Sequence, residues 1–513
     1  MFHAQSAHSA HALRLFGAFL LGAASVLAYA PFSCFPLIWL TLGGLFALLS
    51  KAHQGRQKIA AGALLGAAFG LGLFLGGVSW IYVSLNVFGG MSSPLAALAT
   101  LLFCLLLALY PALCGGLFMR FAPDHRLASG LLFAALWGLN EWLRGWLFTG
   151  FPWLATGYAQ SPGSPLAGFI PVLGVYGASM LCALLGACLY LAIQRTRWAL
   201  ALLCLVLLSG AYLSQQAWSH AVGKPFSVAL LQGNIGQNLK WQPEQFSASL
   251  RTYYQLMLDH PAQLTVLPET ALPALLEQIP ADYLNELKRL ALRQQGELLL
   301  GAVTQKHGEY SNSALSLGKA PTQYYDKSHL VPFGEFIPPG FAWFLRLAQI
   351  PMSDLSPGNE RQPNLNLLGQ KIALNICYED VFGEALIRAL PEAGILINLS
   401  NVAWFGDSLA PAQHLQIAQI RALETGRMML RATNTGMTAI IGSDGRVQKA
   451  LPSFTRAALL GEVQAFQGST PFVRWGNLAA LGLMFLLCVL CGRFRQHSEH
   501  TEQTQRLSKK HVI

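Results

Sequence analysis

The sequence predicts two structural classes in one chain: a multi-pass α-helical membrane bundle of about eight spans and an α/β domain that folds outside it. Three observations predict this. Of the 513 residues, 53% are hydrophobic and only 11% are charged, a balance foreign to soluble globular chains. Long apolar runs fill the first 215 or so residues, an ordinary mixture follows, and one apolar run returns near 475–494. Within the mixed region, short apolar strands alternate with helical stretches.

A transmembrane helix needs about 20 apolar residues to cross about 30 Å of hydrocarbon. Spans are predicted near 12–31, 35–50, 58–83, 93–119, 127–148, 166–193, 197–215 and 475–494. This divides the chain into a bundle over 1–215, a folded domain over 222–465, a closing span over 475–494 and a tail over 495–513. The first run is long, lacks a clear small-residue cleavage site before Pro31 and is followed at once by a second, so it reads as a retained span.

Lys and Arg gather in cytoplasmic loops, and the short loops alternate. Lys51, Arg56 and Lys58 follow the second span, Arg120 and Arg126 the fourth, and Arg195 and Arg197 the sixth. The intervening loops, 31–34, 86–93 and 149–165, carry neither residue. The folded domain is therefore expected outside and the tail in the cytoplasm.

The net charge of +10 resides in those loops and in the tail, because the segment 216–474 is nearly balanced. No nucleic-acid partner is implied. Histidines cluster at both ends (His3, His8 and His11; His497, His500 and His511) and read as polar tails, not a metal centre. Of the nine cysteines, Cys104, Cys114, Cys182, Cys188, Cys204, Cys488 and Cys491 fall inside predicted spans, and Cys34 lies at a membrane edge. Cys377 alone belongs to the folded domain, which thus has no internal disulfide despite an oxidising exterior.

In that domain, SVALLQGNI, LTVLPET, ELLLGAV, YSNSALSL, KIALNIC and GILINLS read as strands. Helices are predicted near 246–260, 283–294 and 412–431, and MTAIIGSDGRVQKAL reads as a hairpin turning at Asp444 and Gly445. The segment 333–352 carries Phe333, Phe336, Phe341, Trp343, Phe344 and Leu345 among several prolines. It suits an apolar lid near a membrane.

Three polar residues stand where strands run out: Glu269 after LTVLP, Lys327 in YYDKSHLVPFGE and Cys377 at the end of KIALNIC. α/β folds present reactive groups at such turns. A carboxylate can take a thiol proton, the thiolate can attack a carbonyl carbon, and an ammonium can steady the resulting oxyanion. Singly, each residue also has an ordinary reading: a core thiol, a capping carboxylate, a solvated lysine. Spacing alone does not join them.

The segments GNIGQNLKW, VLPETALP, YDKSHLVPFGEFIP, ICYED, NLSNVAWFGDS and RALETGRMMLRATNTG resemble, in order and spacing, the nitrilase-like domain of the apolipoprotein N-acyltransferase family. NEWLRGWLFTGFPWLATGY resembles that family's fifth span and following loop. The resemblance implies an αββα nitrilase-like catalytic domain with Glu269 as general base, Lys327 as oxyanion stabiliser and Cys377 as nucleophile. It further implies that Glu335 orients Lys327 and keeps it charged, that Tyr378 and Glu379 support the nucleophile, and that Trp241 helps shape the pocket.

The implied reaction is ping-pong. Cys377 takes an acyl chain from the sn-1 position of a membrane phospholipid, typically phosphatidylethanolamine. The resulting thioester then acylates the α-amine of the N-terminal S-diacylglyceryl cysteine of an apolipoprotein. The implied partners are that donor, that acceptor and the bilayer, with no cofactor and no metal. The implied location is the inner membrane of a Gram-negative cell with the catalytic domain facing the periplasm; a monomer is the default. The aromatic stretch 333–344 is expected to dip toward the bilayer and gate lipid entry. Glu141 and Arg144, three residues apart on one helix face, are expected either to pair or to serve headgroup binding.

Two rivals belong to other classes. A transporter or receptor would leave Glu269, Lys327 and Cys377 unexplained, and the spans lack the paired polar interruptions of a midplane site. A membrane-tethered nitrilase-like amidase would use the same three residues with water as acceptor, but has little use for many spans or an apolar lid.

Overall fold

The computed structural model describes residues 2–55, 57–240, 242–341, 343 and 354–493. They divide into two compact units. The first contains residues up to Ser79, Leu98–Gln216 and the chain from Asn477; the second contains Trp80–Ala97 and Ala217–Gly476.

In the first unit, five helices are long and apolar enough to cross a membrane: Ser9–Ala28, Pro36–Gln54, Ile59–Gly77, Ser93–Phe121 and Pro165–Ile193. Helices also stand at the other predicted spans, but Arg197–Leu213 and Leu478–Arg493 are shorter, and Arg126–Arg144 carries Arg126, Glu141 and Arg144 in its 19 residues. Glu141 and Arg144 do not pair with each other. The Arg144 guanidinium donates from Nη1 to the carbonyls of Phe151 and Trp153, both at 2.6 Å. The Glu141 carboxylate accepts the Thr156 backbone N–H at 3.0 Å and its hydroxyl at 3.2 Å. Each buried side chain thus satisfies backbone groups of the irregular stretch that follows the helix.

The predicted span 58–83 is shorter than expected. Its helix stops at Gly77, and the chain from Trp80 to Ala97 associates with the second unit. There Trp80 Nε1 donates to Gln413 Oε1 at 3.2 Å, Ser84 Oγ donates to the Trp404 carbonyl at 2.8 Å, and the Trp80 and Phe405 rings meet edge-on with centroids 4.6 Å apart.

The second unit is built on two six-stranded sheets. β1 (Ser219–Gln232), β2 (Leu264–Val266), β3 (Glu297–Lys306), β4 (Glu309–Leu317) and β5 (Tyr324–Asp326) form one, with β12 (Ala457–Gly468) on the far side of β1. β6 (Leu365–Leu367), β7 (Gln370–Ile376), β8 (Ile395–Ser400), β9 (Met428–Thr433), β10 (Ala439–Ile441) and β11 (Val447–Ala450) form the other, in reverse order. Side chains alternate across a strand, so each apolar strand serves two cores. Val228, Leu230, Leu299, Ile395, Ile397, Leu399 and Leu430 meet between the sheets. Ala229, Leu231, Leu298 and Leu300 turn outward under helices Pro243–Asp259 and Ala281–Arg293. Leu396 and Met429 turn the other way, under helix Ala410–Thr425. The result is the expected αββα sandwich, and double coverage explains why these strands read as continuous apolar runs.

The helix predicted over 412–431 ends early. It stops at Thr425, with Gly426 in the left-handed region at φ 63°, a conformation that costs a residue with a Cβ and ends helices. The following residues become β9, paired in parallel with β8. This correction moves Arg431 from a helix end into the middle of a sheet.

Candidate active site

Glu269, Lys327 and Cys377 each lie just past a strand. Glu269 follows β2 on a backbone that presses against β3: a Cβ on Gly301 would come 2.6 Å from the Pro268 carbonyl oxygen and 2.7 Å from Glu269 Cα. Only glycine permits that approach. The Glu269 carboxylate is buried and accepts from Asn312 Nδ2 and from the Asn401 backbone N–H, both at 2.7 Å.

Lys327 follows β5, is 1% exposed, and has its backbone N–H bonded to the Asn312 carbonyl at 2.8 Å. Its Nζ lies 2.9 and 2.8 Å from the two Glu335 oxygens and 3.7 Å from Glu269 Oε1. Burial alone would lower this ammonium, but the charges of Glu335 and then Glu269 outweigh it and hold the group above the ordinary lysine value. Glu335 also accepts from the Val331 N–H at 2.8 Å and from Asn312 Nδ2 at 2.9 Å. Asn312 therefore ties both carboxylates to β4. Nothing in the sequence marked it.

Cys377 directly follows β7 in the left-handed region at φ 54°, which costs a non-glycine residue about 1–2 kcal/mol. Such a sharp turn lifts the thiol out of the strand register. Burial pushes the thiol above its ordinary value, Glu269 and Glu335 add to this, and Lys327 and the Asn401 N–H oppose it. The net direction is up, so the resting residue is a neutral thiol.

Glu379 clamps the turn at Cys377 to the loop that follows Lys327. It accepts from the Ile376 N–H at 2.7 Å on one side, and on the other from the Ser328 N–H at 2.7 Å, the Ser328 hydroxyl at 2.8 Å and the Tyr325 hydroxyl at 3.0 Å. Tyr378 packs edge-on against Phe382, with centroids 5.3 Å apart. Trp241 lies outside the described residues. Its neighbour Lys240, unremarked in the sequence, is 1% exposed and donates to Thr270 Oγ1 at 2.6 Å. Burial lowers it to about 8, against the pull of Glu269 and Cys377.

Of the aromatic segment, residues 342 and 344–353, including Phe344 and Leu345, lie outside the described residues. The Phe333 and Phe341 rings meet edge-on with centroids 5.4 Å apart, and Phe341 and Trp343 are 43% and 50% exposed. Among the described residues, no group of three or more His, Cys, Asp or Glu is arranged to hold a metal ion.

The arrangement can move a proton from Cys377 to Glu269 without changing the site's net charge. The Lys327 ammonium, 3.7 Å from Glu269 Oε1, can then balance the thiolate and steady an oxyanion.

Comparison with known proteins gives two family matches. Residues 21–188 match the model described as the apolipoprotein N-acyltransferase N-terminal domain, and residues 227–470 match carbon-nitrogen hydrolase. A Nitrosomonas europaea protein named apolipoprotein N-acyltransferase is 49% identical over 92% of this chain and 96% of that one. Proteins of the same name from Ralstonia nicotianae and Chromobacterium violaceum are 46% and 44% identical, each over 93% of this chain and over 93% and 94% of theirs.

Proposed function

Because the chain belongs to the apolipoprotein N-acyltransferase family, we propose that it is the membrane-embedded N-acyltransferase that completes lipoprotein maturation, working through a Cys377 thioester. The observation that carries the mechanism is that Glu269, Glu335 and Lys327 all act on Cys377, with Lys327 3.7 Å from Glu269.

In the first half-reaction Glu269 takes the thiol proton and the Cys377 sulfur attacks the sn-1 ester carbonyl of a phospholipid such as phosphatidylethanolamine. Lys327, kept charged by Glu335, stabilises the oxyanion. As the tetrahedral intermediate collapses, Glu269 returns the proton to the departing glycerol oxygen, which leaves as lysophospholipid. In the second, the free α-amine of a diacylglyceryl cysteine attacks the thioester, Glu269 accepts its proton, and the sulfur departs. Tyr378, Glu379 and Trp241 support the turn and the pocket.

The eight helices are proposed as eight spans, with the second unit facing the periplasm at the inner membrane. Both substrates keep their chains in the outer leaflet. A site anchored there avoids extracting them, which costs about 0.8 kcal/mol per CH₂. A monomer suffices for this chemistry.

The test is turnover in vesicles containing phosphatidylethanolamine and a diacylglyceryl peptide with a free N-terminal amine. The reading requires N-acyl peptide and lysophospholipid in equal amounts, and no product from an N-acetylated peptide. Release of ammonia from small amides, with no N-acyl peptide, would replace it with the amidase reading.

A further inference from the structure

The left-handed turn at Cys377 is backed by a row of buried polar residues that the mechanism above does not use. Asn375 on β7, Asn398 on β8 and Arg431 on β9 are consecutive ladder partners, so their side chains form one line across the sheet, on the face toward helix Ala410–Thr425. Asn398 Nδ2 donates to the Cys377 carbonyl at 3.1 Å and to Asn375 Oδ1 at 2.6 Å. Its Oδ1 accepts from Arg431 Nη1 at 2.8 Å and from the Ser400 hydroxyl at 2.6 Å. A backbone carbonyl only accepts and a guanidinium only donates, so one orientation of the amide satisfies both.

Behind Asn398 the row is held from the helix. Arg431 Nη1 also reaches Asp380 Oδ2 at 3.2 Å, and Asp380 Oδ1 lies 2.7 Å from His414 Nε2. Arg431 and Asp380 are fully buried and balance each other's charge, the condition under which buried ions are tolerated. Burial, then the charge of Arg431, favours neutral His414.

We propose that Asn398 is a positioning residue for Cys377: by gripping the Cys377 carbonyl it fixes the peptide that follows the nucleophile, and with it the direction of the thiol. The peptide is planar, so one hydrogen bond to its carbonyl sets the whole unit. Without it, a residue in an unfavourable region is free to relax toward an extended strand end, which swings Sγ away from Glu269 and Lys327. Arg431, Asp380 and His414 act through Asn398 as its rigid backing, and Asn375 fixes its other amide hydrogen. This role rests on the proposed nucleophilic function of Cys377.

The test uses full-length enzyme carrying Asn398→Asp, which keeps shape and the Arg431 partner but removes the donor, and Ser400→Ala, which removes one support of the Asn398 oxygen. For thioester formation from phosphatidylethanolamine, Asn398→Asp is expected to lower kcat about 100-fold with KM within about threefold. Ser400→Ala is expected to lower kcat about fivefold, the equivalent of one ordinary hydrogen bond. Iodoacetamide alkylation of Cys377, mapped by mass, should slow in the same order and needs no lipid chemistry. If wild type forms no thioester, the functional reading fails while alkylation still decides the positioning role. Wild-type alkylation rates in both variants, or a raised KM at unchanged kcat per acylatable molecule, would overturn the proposal. Should Asn398→Asp not accumulate, Ser400→Ala decides alone.

Discussion

Cys377 rests as a thiol because burial and the charges of Glu269 and Glu335 outweigh the opposing pull of Lys327. A raised thiol is neutral through the range where an ordinary cysteine begins to ionise. Alkylation of the lipid-free enzyme should therefore keep climbing as pH rises past 9.0, the ordinary value; a plateau below pH 8 contradicts this. Glu335→Gln removes the nearer counter-charge of Lys327 and leaves the ammonium to Glu269, the proposed base. Acylation kcat is expected to fall roughly 100-fold, read by lysophospholipid release. At this scale the sequence was legible where residues sit in motif-bearing turns. Glu269, Lys327 and Glu335 are brought together around Cys377, while Glu379 proves to be the bolt between two loops. Asn312, Asn398 and Lys240 were illegible because an amide or lysine inside a strand or helix carries no local signal; their roles come from partners 21 to 43 positions away.

Elements deliver these residues, and two glycines show how. A methyl group at Gly301 must displace the backbone that carries Glu269. Gly301→Ala is thus expected to cut thioester formation at least tenfold while phospholipid binding persists, measured as separate kcat and KM. Gly426→Ala places a Cβ at φ 63° and within 2.7 Å of Ser219 Oγ. It should destabilise the domain by roughly 1–2 kcal/mol, seen as a lower melting temperature with the site chemistry intact. The same glycine explains the misread helix. RMMLRAT is apolar enough to continue helical periodicity, but the chain reverses at Gly426 and tertiary pairing with β8 decides its state. Of the strands read from the sequence, β2, β3, β4, β7 and β8 are buried along most of their length, while the exposed β11 was legible through its hairpin turn. β12 escaped, because its half-exposed pattern lacks their continuous apolar signal.

Composition and loop charge set the whole-molecule expectation: a membrane bundle and an α/β domain in one chain. Less legible was the assignment of Trp80–Ala97, whose two ends, 80–83 and 93–97, read as span but belong to the second unit. Hydropathy measures transfer from water and does not distinguish lipid from a protein surface. The proposed topology predicts that, with Cys34 removed, a cysteine at Gly163 is labelled by an impermeant maleimide in intact spheroplasts, and one at Gln54 only after lysis. The reverse pattern would invert the orientation. The central claim is acyl transfer through Cys377, and its most direct test is the intact mass of purified enzyme incubated with phosphatidylethanolamine and no acceptor. Wild type should gain one fatty acyl mass, lose it on addition of a diacylglyceryl peptide with a free amine, and Cys377→Ser should gain no thioester. A folded, lipid-accessible wild-type enzyme that gains no mass would contradict the account.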